Sequence, residues 1–250
     1  MISEAYKKYS TLPNLKKIGP REVFEKDDRE SSAMRREKDE ALENQNFFVE
    51  HENDPLFYDI SARWILENYP RKLRSKEYLD IAKEADEDFL IHRVVGDKDW
   101  LSSAHVCFAS HWLPEEKIGK SFEQIHQPVP MNLRNSKKLI EAAARAGIFE
   151  RFVWSVVHDE RYNFHPRLPY SKFDDSNPRV LVKVERQVTV AFPEHDFCLF
   201  VLRQYLIKEE DIDKPALARS IEGMTPAEKA YKGLSECSYL IKYLKGEEPA

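Results

Sequence analysis

Glycine and cysteine are scarce, with seven and three in 250 residues, and no apolar run approaches the ~18 residues that a membrane-spanning helix needs. The chain has no Gly-rich phosphate loop, no Cys-x-x-Cys pair and no Gly-x-Ser-x-Gly elbow, so nucleotide binding and hydrolase chemistry of those kinds find no support. Basic excess is missing too. The net charge of -5 leaves nothing to neutralise a phosphate backbone and argues against a nucleic-acid binder. The opening MISEAYKKYS lacks the apolar stretch of a secretory signal, so a reducing, cytoplasmic compartment is expected. Cys107, Cys198 and Cys237 are odd in number and widely spaced, two of them in apolar runs, and read as buried thiols, not disulfides or zinc ligands.

What is present suffices for a folded core. Apolar residues make up 42% of the chain, and the 33% that are charged point to a helix-rich, well-solvated exterior. Residues 1–30 are polar and read as an extended N-terminal arm. Residues 31–84 read as a helical cover, with a helix over 31–48 and a second that starts at Asp54-Pro55, carries Leu56, Phe57, Ile60, Trp64 and Ile65 on one face, and stops at Tyr69-Pro70. Residues 85–206 carry the strand signals: Phe89–Val95, His105–Ala109, FVWSVVH at 152–158, a long strand at 179–192, and DFCLFVLRQYL at 196–206, apolar on both faces and so expected to be central. Between them EEKIGKSFEQIH reads as helical until QPVP at 127–130 breaks it, and a helix capped by Ser136 carries Leu139, Ile140, Ala143, Ala144 and Ile148. Residues 207–250 read as a C-terminal helical extension, with a capping-box start at Thr225-Pro226 and Glu228 and last apolar contacts at Leu240, Tyr243 and Leu244 before Gly246. The fold class is therefore α+β: a PAS-like antiparallel sheet with helices over one face, plus helical extensions at both ends. Such folds leave a ligand cavity between sheet and helix.

The strand at 179–192 alternates with period two, which puts Val180, Val182, Val184, Val188, Val190 and Phe192 on one face together with Arg186. Arginine does not shed its proton, so an anionic or strongly polar partner must meet Arg186 inside the fold, either a buried carboxylate or a ligand. Arg203 sits among apolar neighbours on the next strand, and the two together suggest one shared polar site. Among eight histidines, His126 stands out because Pro128 and Pro130 stiffen the backbone just after it. A rigidly held imidazole at a cavity rim suits haem iron, although a satisfied structural histidine is the commoner case. His158 and Glu160, with His195 and Arg203 downstream, loosely mimic the ligands of a non-haem iron triad; HDER is more simply a solvated turn.

HVCFASHWLPEEKIGKSFEQIHQPVP at 105–130, VERQ at 184–187 followed by FP at 192–193, FVLRQY at 200–205, GMTPAEKAYKG at 223–233 and EADEDFLIHR at 84–93 together resemble the family of haem-dependent oxidative N-demethylase alpha subunits. The likeness runs from about Gly19 to Leu244 with its parts in order. It implies a haem-binding PAS fold that uses haem b and O2 to oxidise a methyl group on a small amine such as dimethylamine, releasing formaldehyde. Electrons would come from NADPH through a separate reductase carrying flavin and an iron–sulfur cluster. By motif, His126 would be the iron ligand, and Lys117 and Gly119 match the Lys-x-Gly before it. Glu185, Arg186 and Gln187 match the Glu-Arg-Gln strand, and Arg203 and Tyr205 the Arg-x-Tyr strand.

On this reading His126 lies below the iron, Arg186 and Arg203 meet the propionates or the oxygen side, Tyr205 is a donor, and Glu185 or Glu87 pairs with the amine. Strand parity sets Glu185 on the surface opposite Arg186. The chain departs from the family pattern at Ala109-Ser110-His111-Trp112, at Arg151-Phe152-Val153-Trp154 and at Met131, which bears on the substrate more than on haem. A haem-binding sensor without turnover is the alternative.

Overall fold

The computed structural model describes residues 2–10, 14–25, 31–126, 136–174, 176–235 and 238–247. The expectations placed on Pro128, Pro130, Met131 and Cys237 fall outside these. Seven strands are present among the described residues: β1 (Lys16–Lys17), β2 (Phe48–Glu50), β3 (Asp88–Val95), β4 (Lys98–His105), β5 (Ile148–Val157), β6 (Leu181–Phe192) and β7 (Phe197–Ile207). They form one antiparallel sheet in the order β1-β5-β6-β7-β3-β4-β2. The strand that is apolar on both faces, β7, is central as its composition requires. The second strand signal was misplaced: β4 ends at His105, and the apolar run after it leaves the sheet as a buried loop.

Eight helices accompany the sheet among the described residues: α1 (Ser31–Asn44), α2 (Pro55–Asn68), α3 (Tyr78–Glu84), α4 (Phe122–His126), α5 (Ser136–Arg145), α6 (Lys214–Glu222), α7 (Pro226–Tyr231) and α8 (Ser238–Lys245). Their ends follow local chemistry. Asp54 accepts the Leu56 N–H at the start of α2 with Pro55 in the first turn, and Tyr69 leaves in an extended conformation before Pro70. Thr225 and Glu228 close a reciprocal capping box on α7. The helix expected across 115–126 is shorter than its sequence suggested. A 3-10 turn spans only Pro114–Glu116, a further turn follows that contains Gly119 at φ 74°, and the chain restarts as α4 only at Phe122.

Helices cover both faces of the sheet, not one. On the face of the even-numbered β6 residues, Val188 and Val190 pack with Phe57, Ile60 and Ile65 of α2 and Tyr78 and Ile81 of α3. Val182 and Val184 on that face pack instead with Leu217 and Ile221 of α6 and Leu240 and Leu244 of α8. Each such valine contributes on the order of 1.5 kcal/mol or more by burial. The odd face carries α5, whose Ile140 and Ala144 pack with Val94 and Cys198 and, through Ala143 and Phe122, with Phe200. Leu181 and Lys183 are as buried as the valines that alternate with them because Phe164 and the loop after β4 cover the odd face at that end. No helix among the described residues is long and apolar enough to cross a membrane.

Candidate functional site

Arg186 and Arg203 are register partners across β6 and β7, so both guanidiniums lie on the even face. They meet different groups. Arg186 donates through Nε to Glu150 at 2.9 Å and through its two terminal nitrogens to the carbonyl oxygens of Val23 and Glu22, each at 2.6 Å. Arg203 pairs with Glu87 at 2.9 Å and Asp86 at 3.4 Å. The carboxylates raise the Arg203 pKa against the opposing effect of burial, and burial followed by Glu25 raises that of Tyr205. The two arginines do form one polar layer. It is a set of ion pairs closed by the N-terminal segment, between the two apolar clusters of that face.

His126 lies on the other side of the sheet. Its ring stacks on Phe122 with centroids 4.1 Å apart, and Phe122 packs beside Cys198 and Phe200 of the odd face. Arg186, Arg203 and Tyr205 are thus separated from His126 by the sheet, and the expectation that they wall one pocket with it is corrected here. Glu87 is held in the same even-face layer by Arg203 and by the Tyr69 hydroxyl at 3.0 Å. Glu185 and Gln187 are where strand parity put them, on the odd face with His126.

Short capping bonds fix α4. Ser121 and Gln124 form a reciprocal pair at its start, with Ser121 N–H donating to Gln124 Oε1 at 2.9 Å and Gln124 N–H to Ser121 Oγ at 3.3 Å. Asp99 Oδ2 accepts the Phe122 N–H at 2.6 Å and also meets His92 Nε2 at 2.8 Å. Lys117 reaches the Ile125 carbonyl with Nζ at 3.2 Å, satisfying an acceptor left open at the helix end. Gly119 donates to the Leu101 carbonyl at 2.9 Å, and a Cβ there would stand 2.9 Å from His51 Nδ1. Lys117 and Gly119 therefore position the helix that bears His126. An open groove of about 760 Å³ flanks the outer side of α4, lined by His51, Asp99, Gly119, Ser121 and Gln124 among others, and His126 does not line it.

The state of His126 follows from its contacts. Nδ1 lies 2.8 Å from the Phe122 carbonyl oxygen, which can only accept, so Nδ1 carries the proton and Nε2 presents its lone pair. Burial lowers the pKa to about 4, with nearby Arg151, His92 and Lys117 adding to the effect against the Phe122 bond. A neutral imidazole whose other nitrogen is anchored to a backbone carbonyl is the usual state of a metal-ligating histidine.

Facing it from the sheet is a polar cluster that the sequence reading found only in part. Glu185 accepts from Gln187 at 2.5 Å and from Gln204 at 2.7 Å, while Gln187 Oε1 accepts from Arg151 at 2.6 Å. Lys183 feels the Glu185 charge, and burial lowers its pKa to about 8, whereas Lys232 sits at the β5 edge over the even-face rings of Tyr9 and Trp154. Arg151, Lys183 and Lys232 have no carboxylate within ion-pairing distance among the described residues. Gln204 is fully buried and its Oε1 has no partner there. Gln204 and Arg151 were missed because the arginine-bearing even face drew attention. The signal was the polar stripe at odd positions of β6 and their cross-strand neighbours.

The loose iron triad does not assemble. His158 follows β5 and bonds the Arg179 carbonyl at the start of β6, whereas His195 lies in the turn after β6. The whole strand, at roughly 3.3 Å per residue, separates them.

An antiparallel sheet with helices on both faces defines an α+β protein, and the anchored, neutral His126 marks its odd side as a candidate cofactor face. The family follows from the sequence comparison: the family description "Haem-dependent oxidative N-demethylase, alpha subunit-like" matches residues 41–241. The chain belongs to this family, whose description carries haem dependence and oxidative N-demethylation. No curated protein is matched by the sequence.

Proposed function

We propose that this chain is a haem-bearing oxidative N-demethylase subunit whose cofactor face is the odd side of the sheet, with His126 Nε2 as the atom that would hold the iron. The observation that carries the proposal is the fixed tautomer of His126, with Nδ1 bonded to the Phe122 carbonyl and the ring kept neutral by burial. A cation of that face supports it. Arg151 bonds only to the neutral Gln187 among the described residues, and so suits a haem carboxylate. Arg186 and Arg203, whose donors go to protein carboxylates and carbonyls, are assigned to holding the even face together. The strand order supports a PAS-like core over 85–206, since its first and last strands, β3 and β7, lie side by side with β5 and β6 beyond.

Bound there, haem b would supply the centre for O2 activation and oxidation of an N-methyl group, with electrons from NADPH through a separate flavin and iron–sulfur reductase. The protein's part is binding and orientation. Glu185 is a carboxylate of this face held by two amides and by no direct cation, so it is the group to pair with a small protonated amine such as dimethylamine. Gln204 and Gln187 fix its orientation, and the unpaired Gln204 Oε1 offers an acceptor for a substrate N–H.

Replacing His126 with alanine should abolish the Soret band of the purified protein while leaving its far-ultraviolet circular dichroism intact; an unchanged haem spectrum refutes the ligand assignment. Glu185→Gln should leave the Soret band in place and raise KM for the amine at least tenfold in an assay of formaldehyde release with a supplied reductant. A stable oxygen complex in the wild-type protein, without formaldehyde from any methylated amine, would make the site a sensor instead.

A further inference from the structure

On the far side of β7 from this face's cationic groups, at the start of β3, three side chains of different donor type come together. Asp88 is the first residue of β3, His105 the last of β4, and Cys107 lies two residues further on, where the chain has left the sheet. A carboxylate oxygen, an imidazole nitrogen and the Cys107 sulfur all lie within 4.8 Å of one another. All three residues have no solvent exposure.

The bonding of the three is incomplete in one particular way. Asp88 accepts the N–H groups of Cys107 and Phe108, each at 2.9 Å, one on each carboxylate oxygen, which orients it and leaves a lone pair on each. His105 has neither ring nitrogen hydrogen-bonded among the described residues, although it is fully buried. An imidazole needs at least one donor and one acceptor partner, and buried polar groups without them are rare in folded proteins. A second ligand-seeking atom in the same place, the Cys107 thiol, is free of any disulfide.

We propose that Asp88, His105 and Cys107 form a second metal site, separate from the haem, that takes one divalent ion of the zinc class. The donor set of carboxylate oxygen, imidazole nitrogen and thiolate sulfur is within the zinc repertoire, and a thiolate disfavours magnesium or calcium. Loss of the Cys107 proton on binding makes the centre neutral, since one divalent ion balances the aspartate and the thiolate. Lys38 from α1, whose charge reaches all three groups, has its own acceptors in the carbonyls of Ala85 and Glu87, at 2.7 and 2.8 Å, and does not need Asp88 as a direct partner. The ion would tie the entry of β3 to the exit of β4. Spacing in the sequence hides it, because His-x-Cys has its third ligand on the preceding strand.

Elemental analysis of the purified holoprotein should find about one zinc per chain in addition to haem iron. Protein stripped with a chelator and reloaded with cobalt(II) should show a thiolate-to-cobalt charge-transfer band in the near ultraviolet, read as a difference spectrum against the stripped protein. Cys107→Ser should lose that band and the zinc, whereas Cys198→Ser, at another buried thiol, should keep both. The His126→Ala variant, which lacks haem on the reading above, should retain its zinc, so the two sites are tested independently. Absence of stoichiometric zinc together with absence of the cobalt band in the wild-type chain overturns the proposal, as does a folded Cys107→Ser that keeps its metal. Should Cys107→Ser fail to fold, the wild-type cobalt spectrum decides.

Discussion

Arg186 and His126 show how one residue's role is set by which side of a sheet it occupies. The alternation of β6 established that Arg186 is buried, and burial alone required an anionic or polar partner. Which partner it found depends on Glu150 of the neighbouring strand and on two carbonyls from the N-terminal segment, 163 and 164 residues away. Replacing Arg186 with leucine leaves the buried Glu150 to Lys16, a more exposed partner at 3.0 Å, and strands those carbonyls, so a loss of roughly 3 kcal/mol is expected. Urea unfolding followed by circular dichroism will measure it. The haem spectrum of whatever protein remains folded should be unchanged, which separates this role from that of His126.

At the level of elements, α4 is only five residues long and could not persist in isolation. Its capping pair, Asp99, Lys117 and Gly119 hold it in place. Gly119→Ala forces a left-handed residue to carry a Cβ that would press on His51, at a cost of about 1–2 kcal/mol in backbone strain alone. Faster haem loss to apomyoglobin, with the Soret position kept, is the expected reading. Elements with strong punctuation were legible: Asp54-Pro55, Thr225-Pro226 and the period-two run each produced the expected helix or strand. The 115–126 segment was not, because its charged residues fit a helix while a single glycine interrupts it. The exit of β4 was misread for a related reason, since a buried loop and a buried strand have the same apolar composition. Parity along β6 correctly divided Glu185 from Arg186; the choice of face for the cofactor could not be made until α4 and α5 were seen on the odd side.

For the whole molecule, acid sensitivity follows from histidines kept neutral. His126, with its pKa lowered to about 4 chiefly by burial, and His92 and His105, also lowered by burial, refuse protons that the unfolded chain accepts below its ordinary value of about 6.5. Their contribution to stability is therefore intact above that value and is lost as the pH falls from there toward 4. Thermal melts at half-unit steps should show the midpoint dropping across this window. In the haem-free, metal-free chain a midpoint that is flat from pH 7 to 4 contradicts this account.

The bonds from Arg186 to Glu22 and Val23 also set an order of events. The segment that carries Glu22 and Val23 has to wait for β6, made some 160 residues later, before those carbonyls are covered. A nascent chain stopped short of β6 would keep its N-terminal segment unanchored and open to proteases, and docking of that segment would belong among the late steps of folding.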